Sequence, residues 1–317
     1  REQRYFDLNI GEMLEAWEPR HAVREFIANA LDEQVLTGSR AVEIRKLTRG
    51  WSIRDFGRGL RVEHLMQSEN PEKLRSSSAL IGRFGCGLND ALATSARWKL
   101  EPKILSPHAD ITLVQRRKHG FDDVRTLHAR ASPPRDPQRV GTEVILSELS
   151  DEEMAEAQAL FLTLSAVKSL ASTAFGQVLQ RGPDKPSCIY VKGVLVAIEP
   201  EFLFSYNITK LTAAMEKALN RERTNIGRAV YSERVKDILL SCCEREVTEL
   251  LAQRVRSARS GVEQSELGWK DVAVHACKLL NQTGQVVFVD TEEQSNARDM
   301  IDRATAGGLR VVTLAPH

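Results

Sequence analysis

Glu25, Asn29 and Asp32 are the residues of this chain best placed to do chemistry. Their i, i+4, i+7 spacing puts them on one face of a helix predicted over Val23 to Leu36, and Phe26, Ile27, Ala30 and Leu31 form an apolar flank that can dock on a sheet. A carboxamide oxygen suits a magnesium ion that already carries phosphate oxygens and waters, and a carboxylate one turn away can take a proton from an attacking water. The pair suits nucleotide hydrolysis, although a Glu and an Asn one turn apart on an amphipathic helix are more often a solvated face.

Two glycine-bearing stretches add to this. Ser52-Ile53-Arg54-Asp55-Phe56-Gly57-Arg58-Gly59-Leu60 follows a strand-like Ala41 to Leu47 and a turn at Gly50, so it reads as a second strand opening into a loop. Its glycines let backbone approach a ligand, and Asp55 can accept from an exocyclic amine. Ile81-Gly82-Arg83-Phe84-Gly85-Cys86-Gly87-Leu88 then runs into a helix-like Leu88 to Ala93. Glycine backbone feeding a helix N-terminus cradles phosphate, because free N–H groups and the helix dipole both favour an anion. No strand leads directly into it and no Gly-Lys-Ser/Thr follows, so it is neither the dinucleotide fingerprint nor a Walker loop. A fourth element, Gly141-Thr142, precedes the strand-like Glu143 to Leu146.

The four motifs, in this order, resemble the GHKL superfamily of ATPases, which groups DNA gyrase B subunits, ninety-kilodalton heat-shock chaperones, histidine kinases and MutL-type repair proteins. The pattern is nearer to the chaperone, MutL and MORC-like branches than to the kinases. His21 lies one turn before Glu25, whereas the kinase phospho-acceptor sits on a separate upstream dimerisation helix. The resemblance covers roughly Tyr5 to Leu149 and implies an α+β fold, a two-layer α/β sandwich of the Bergerat type with helices on one face of a mixed sheet. It further implies ATP and Mg2+ as ligands, with Glu25 as general base, Asn29 as the magnesium ligand and Asp32 in support. Asp55 would accept from the adenine amino group, Gly57 and Gly59 would shape the base pocket, and Thr142 would join the hydrogen bonds around adenine. Gly82, Arg83, Phe84, Gly85, Cys86, Gly87 and Leu88 would wrap the phosphates. Residues 1–170 would form this domain, 171–262 a transducer-like domain and 263–317 a small C-terminal α/β segment.

The remainder must position these residues. The 317-residue chain is 42% hydrophobic with a formal charge of +1, enough for about two domains and without a general basic coat for nucleic acid. With no apolar run long enough to span a bilayer and no signal-like start, it reads as soluble and cytoplasmic, with no membrane partner. Five cysteines without metal-ligand spacing read as reduced thiols, and Cys86 is more simply a small residue between glycines than a reactive one. Tyr5 to Trp17 is either an arm exchanged between subunits or a segment packed on its own sheet. Arg75 and Arg83, flanking the serines Ser76 to Ser78, either reach phosphate or are solvated.

Ala109 to Val114 and Val124 to Ala129 predict a hairpin whose basic tip around Arg116, Arg117 and Lys118 is either a solvated turn or a nucleic-acid contact. A helix over Glu152 to Lys168 capped by Ser150 follows, then a hairpin over Cys188 to Val196 that is similar to the start of a transducer domain. There, by resemblance, one of Lys192, Lys210, Arg221 and Arg223 would reach the terminal phosphate. Helices are predicted over Ile208 to Leu219 and over a long Ala229 to Arg256, then helix Asp271 to Leu280, strand Val286 to Val289, helix Glu292 to Ala306 and strand Leu309 to Leu314, with the two strands parallel. Two function classes stand: an ATP-driven switch that dimerises on ATP, and an ATP-sensing module without turnover that serves nucleic acid or an effector protein.

Overall fold

The computed structural model describes residues 3–8, 16–65, 80–81, 87–117, 125–221, 227–257, 265–282, 286–289 and 291–313. The chain forms two compact units, Arg1–Ser165 and Ala166–His317.

In the first unit, seven strands form one sheet in the order β1-β6-β5-β4-β7-β3-β2. They are β1 (Arg4–Asp7), β2 (Glu43–Lys46), β3 (Trp51–Arg54), β4 (Pro102–Leu105), β5 (Asp110–Arg117), β6 (Arg125–Ser132) and β7 (Glu143–Leu146). Every pairing is antiparallel, where the resemblance implied a mixed sheet. The reason is local: β2–β3 and β4–β5 are joined by short reversals, β5 and β6 pair from Asp110 with Ser132 to Arg117 with Arg125, and β7 returns between β3 and β4 against both. Three helices belong to this unit, α1 (Pro19–Thr37), α2 (Gly87–Arg97) and α3 (Asp151–Ala159). α1 packs on α2, α3 and β3, so the helix predicted from the acidic spacing is the centre of the helical layer. Its Val23, Phe26, Ile27 and Ala30 are buried with Ile53, Ile104, Ile111 and Leu146 of the sheet.

β1 pairs with β6 of the same chain, Phe6 opposite Ala129. The predicted helix over Glu152 to Lys168 instead ends at Ala159, although Ser150 caps it through a capping box with Glu153 as expected. Phe161 is wholly buried in an extended conformation, and burying that ring ends the helical path.

The second unit holds a five-stranded sheet in the order β11-β10-β12-β9-β8, with β8 (Ser169–Ser172), β9 (Gly176–Leu179), β10 (Ser187–Val191), β11 (Val194–Glu199) and β12 (Ser205–Ile208). The β10–β11 hairpin is the predicted one, turning at Lys192-Gly193 with both residues at positive φ. β10 and β12 run parallel, so this sheet is mixed. Strands β8, β9 and β12 carry no clear alternation in the sequence, and β12 occupies the start of what was predicted as helix from Ile208. The helix there is α4 (Ala213–Arg221).

The single helix expected over Ala229 to Arg256 is two, α5 (Arg228–Leu240) and α6 (Arg245–Ser257). A straight helix would hold its ends about 42 Å apart at about 1.5 Å per residue. The break at Ser241 to Glu244 lets Tyr231, Val235 and Ile238 share one core with Val247 and Leu251. α7 (Lys270–Gln282) adds Val272 and Ala276 to that core. The chain then forms β13 (Val286–Val289), α8 (Thr291–Asn296), α9 (Arg298–Ala306) and β14 (Arg310–Thr313). β13 and β14 are parallel as predicted, while the helix expected between them is broken at Ala297. No helix of the described residues is long and apolar enough to cross a membrane.

Candidate functional site

Helix α1 begins at Pro19 behind Glu18, and the Glu18 N–H donates to His21 Nδ1 at 2.9 Å in a reciprocal capping box. His21 therefore presents an unprotonated Nδ1, and burial, followed by Arg24 and Arg20, pushes its pKa down. This nitrogen serves the helix cap.

One turn on, Glu25 is buried and its Oε1 accepts from Arg24 Nε at 3.2 Å and Nη2 at 2.8 Å. The Arg24 guanidinium is itself buried, stands over the Trp17 ring 5.5 Å from its centroid, and leaves Nη1 unbonded. Asn29 lies half-buried one turn after Glu25. Asp32, only 1% exposed, accepts from the Ile81 N–H at 2.7 Å, which ties α1 to the residue immediately before Gly82.

β3 delivers Asp55 at its C-terminal end. Asp55 exchanges bonds with the residue after Gly141: its N–H donates to the Thr142 carbonyl at 2.9 Å, and the Thr142 N–H donates to Asp55 Oδ1 at 3.2 Å. Oδ1 also accepts from the Gly57 N–H at 2.9 Å. Burial pushes the Asp55 pKa up, and the hydrogen bonds from Gly57 and Thr142 oppose that shift. Gly141 sits at φ +79, and a Cβ there would meet the Asp55 carbonyl oxygen at 2.0 Å, so only glycine permits the exchange. The Thr142 hydroxyl accepts from Leu60 N–H at 2.9 Å and so holds the far end of the same loop.

The space beside Gly57 is filled by the Glu33 side chain, and that beside Gly59 by Pro107. Glu33 is a residue that the motifs missed. Its Oε1 accepts from both Arg58 N–H and Nε, and its Oε2 from Nη2, all at 2.9 Å. Its signal was present in the periodicity, since Glu33 lies four residues after Asn29. Phe56 is clamped between Arg40 and Arg54, whose guanidinium carbons stand 3.4 and 4.8 Å from the ring centroid.

Gly82, Arg83, Phe84, Gly85 and Cys86 lie outside the described residues, as do Arg75 and Ser76 to Ser78. Gly87 is the buried first residue of α2, followed by half-buried Leu88, so the glycine run does feed a helix N-terminus. In that first turn Asn89 Nδ2 donates to the Leu65 carbonyl, while Oδ1 is buried without a partner. In the second unit, Lys192 donates its N–H to Ile208 from the hairpin turn, and the Lys210 ammonium stands over Phe175. The Arg221 side chain and Arg223 lie outside the description.

Hydrogen bonds thus join all four sequence motifs. α1 reaches the Asp55 loop through Glu33 and the approach to Gly82 through Asp32, and the Asp55 loop reaches Gly141-Thr142. The arrangement gathers a carboxylate, a carboxamide and backbone donors on a rigid support, a donor set suited to a phosphorylated ligand.

Residues 152–245 match the family model described as the Mycoplasma pneumoniae MPN635 N-terminal domain. The structure is similar to the ATPase domain of the bacterial mismatch repair endonuclease MutL from Aquifex aeolicus, with 12% identity, coverage of 70% of this chain and 98% of that one, and a TM-score of 0.33, too loose a superposition to bear on fold or activity. One Mycoplasma pneumoniae relative, an uncharacterized protein, is 25% identical over 164 residues, 51% of this chain and 46% of its own length. Another from the same organism, also uncharacterized, is 34% identical over 244 residues, 75% of this chain and 97% of its own length. Identity at that level across nearly the whole of a relative marks common descent, and the chain belongs to the family of that Mycoplasma pneumoniae protein.

Proposed function

We propose that the N-terminal unit binds ATP with Mg2+ and hydrolyses it slowly, and that the bound nucleotide drives a conformational and dimerisation switch. The observation that supports this most is the joining of the four motifs by hydrogen bonds, because dispersed sequence matches gain meaning when they meet around one helix and two loops. Asp55 would meet the adenine amino group, Thr142 and the loop it anchors would border the base, and the helix N-terminus at Gly87 would face phosphate. Asn29 would hold the metal together with phosphate oxygens and water. A carboxamide oxygen is a hard ligand of the kind that Mg2+ takes alongside phosphate oxygens and waters. Bound there, Mg2+ would neutralise charge developing on the phosphates. Glu25 would accept the proton of the attacking water, with its carboxylate turned by the Arg24 fork.

One observation favours a second reading, an ATP sensor without useful turnover. The same fork engages Oε1 of Glu25 with two hydrogen bonds from Arg24, which commits that oxygen to a neighbour rather than to a water. Calorimetry with ATP and Mg2+, alongside phosphate release, separates the readings. Glu25→Ala should keep nucleotide affinity and lose about 10²–10⁴ in rate, the usual contribution of a positioned base. Wild-type binding without phosphate release supports the sensor, absence of binding overturns both readings, and a Glu25→Ala variant as fast as wild type removes Glu25 as the base.

A further inference from the structure

β5 and β6 are each eight residues long, twice the length of their neighbours β4 and β1. β4 pairs with β5 only over Asp110 to Thr112, and β1 pairs with β6 only over His128 to Ala131. Beyond those points, among the described residues no third strand flanks Gln115–Arg117 or Arg125–Thr126, so the hairpin continues as a two-stranded ribbon. Its registers place Arg116 on the same face as Tyr5 and Arg130, and Arg117 with Arg125 on the opposite face.

Basic residues without a carboxylate partner among the described residues occur elsewhere in the unit, as at Arg40 and Arg54 over Phe56, but here several of them share one hairpin and the strand beside it. Arg45, Lys46, Arg49, Arg58, Arg135 and Arg139 each have a carboxylate partner. Arg4, Arg116, Arg117, Arg125 and Arg130 form no ion pair among the described residues. Arg4 and Arg116 stand over aromatic rings instead, Phe6 at 5.9 Å and exposed Tyr5 at 3.7 Å, while Arg130 bonds the Thr112 hydroxyl. Arg117 and Arg125 are directly opposite one another, a like-charge cross-strand pair that costs stability unless an anion lies against it. The seven residues between the strands add Lys118 against Asp122 and Asp123, so the surplus belongs to the strands. Arg116, Arg117 and Arg125, none with a carboxylate partner among the described residues, thus gather within the last two pairs of one hairpin.

We infer that the β5–β6 ribbon is a binding element for duplex DNA, entering the major groove with arginines directed at the phosphates on both walls. A groove about 12 Å wide admits a two-stranded ribbon. Arginine on both ribbon faces suits two walls of phosphate, and the planar guanidinium fork matches phosphate oxygens. This site is independent of the nucleotide reading and stands whether or not ATP is turned over.

The test uses the full chain and fluorescence anisotropy of a labelled DNA duplex across a salt series. The variants are the triple Arg116→Gln, Arg117→Gln, Arg125→Gln and a control of equal charge loss at the other edge of the sheet, Arg45→Gln, Lys46→Gln, Arg49→Gln. Wild type should bind with an affinity that falls with salt. The ribbon variant should bind at least about tenfold more weakly, with the log–log salt slope reduced by about 2.7, or about 0.9 for each phosphate contact removed, and the control should stay near wild type. Arg117→Gln alone relieves the like-charge pair, so it should fold at least as well as wild type and still lower the slope by about 0.9. Absence of duplex binding by wild type, or equal loss in the ribbon and control variants, overturns the inference. So does a light-scattering mass that halves in the ribbon variant, which would make the occupant a second copy of the chain.

Discussion

Asp55 is where local chemistry decides most. One oxygen, Oδ1, takes the two backbone donors, Gly57 N–H and Thr142 N–H. Asp55→Asn can keep its oxygen toward those donors, but it sets an amide N–H₂ where the adenine amino group would need an acceptor. ATP affinity should fall by about 1–3 kcal/mol, the cost of unpaired buried polar groups, while GTP binding, weaker from the start, should fall less. Titration calorimetry with both nucleotides checks this, and an equal loss for the two removes Asp55 from the base pocket. Asp55, Gly141 and Thr142 stood out in the sequence through motif order and resemblance, and the backbone exchange that joins them through a left-handed glycine came only with the fold. Glu33 and Arg24 did not, because no motif includes either, although Glu33 does follow Asn29 at helical spacing. One is an acidic residue on a helix face and the other a basic residue beside a proposed base, and only packing shows that both are engaged.

At the scale of elements, strong periodicity and turn residues were readable, and breaks dictated by distant packing were not. The β2–β3 and β10–β11 hairpins and the parallel β13–β14 pair follow their sequence signals. The α5–α6 break does not, since the weak helix formers Ser241, Cys242 and Cys243 would not by themselves end a helix and the shared core requires the turn. A comparable tertiary demand ties α7 to the sheet of its unit. Glu266, wholly buried just before that helix, accepts from Leu203 N–H at 2.7 and 2.9 Å, Phe204 N–H at 3.2 Å and the Tyr206 hydroxyl at 2.9 Å. Burial pushes its pKa above the ordinary 4.5, against the pull of those donors. A carboxyl whose folded pKa exceeds its unfolded value binds its proton more tightly in the native state. Its contribution is thus fully present below 4.5 and is lost as pH rises through the raised value. Glu266→Gln cannot titrate and turns an amide N–H₂ toward donors. It should destabilise the protein by about 1–3 kcal/mol, with a gap from wild type that narrows as pH rises from 4.5. Urea midpoints over a pH series read this, and a constant gap would show that Glu266 keeps its proton affinity on unfolding.

For the whole molecule, the open matter is whether nucleotide controls assembly. With a formal charge of +1, two copies meet little electrostatic repulsion at neutral pH. β1 is paired with its own β6 through four residues, so an exchanged arm would first have to give up an intact strand pairing. The long helix that could have served as a partner surface is two shorter ones that bury their apolar residues in their own core. Neither element therefore offers a ready interface, and under the proposed switch a dimer would draw its stability from the nucleotide-bound form. ATP can shift such an equilibrium only by its differential affinity for the two states, and moving it from 1:99 to 99:1 takes about 5.5 kcal/mol. The differential would have to come from contacts to the terminal phosphate, which ADP lacks. Light scattering at several protein concentrations should give a monomer mass without nucleotide and with ADP, and a doubled mass with Mg2+ and a non-hydrolysable ATP analogue, the transition moving to lower protein concentration as analogue is added. One mass in all three states would separate assembly from nucleotide, and the bound ATP would then act within a single chain.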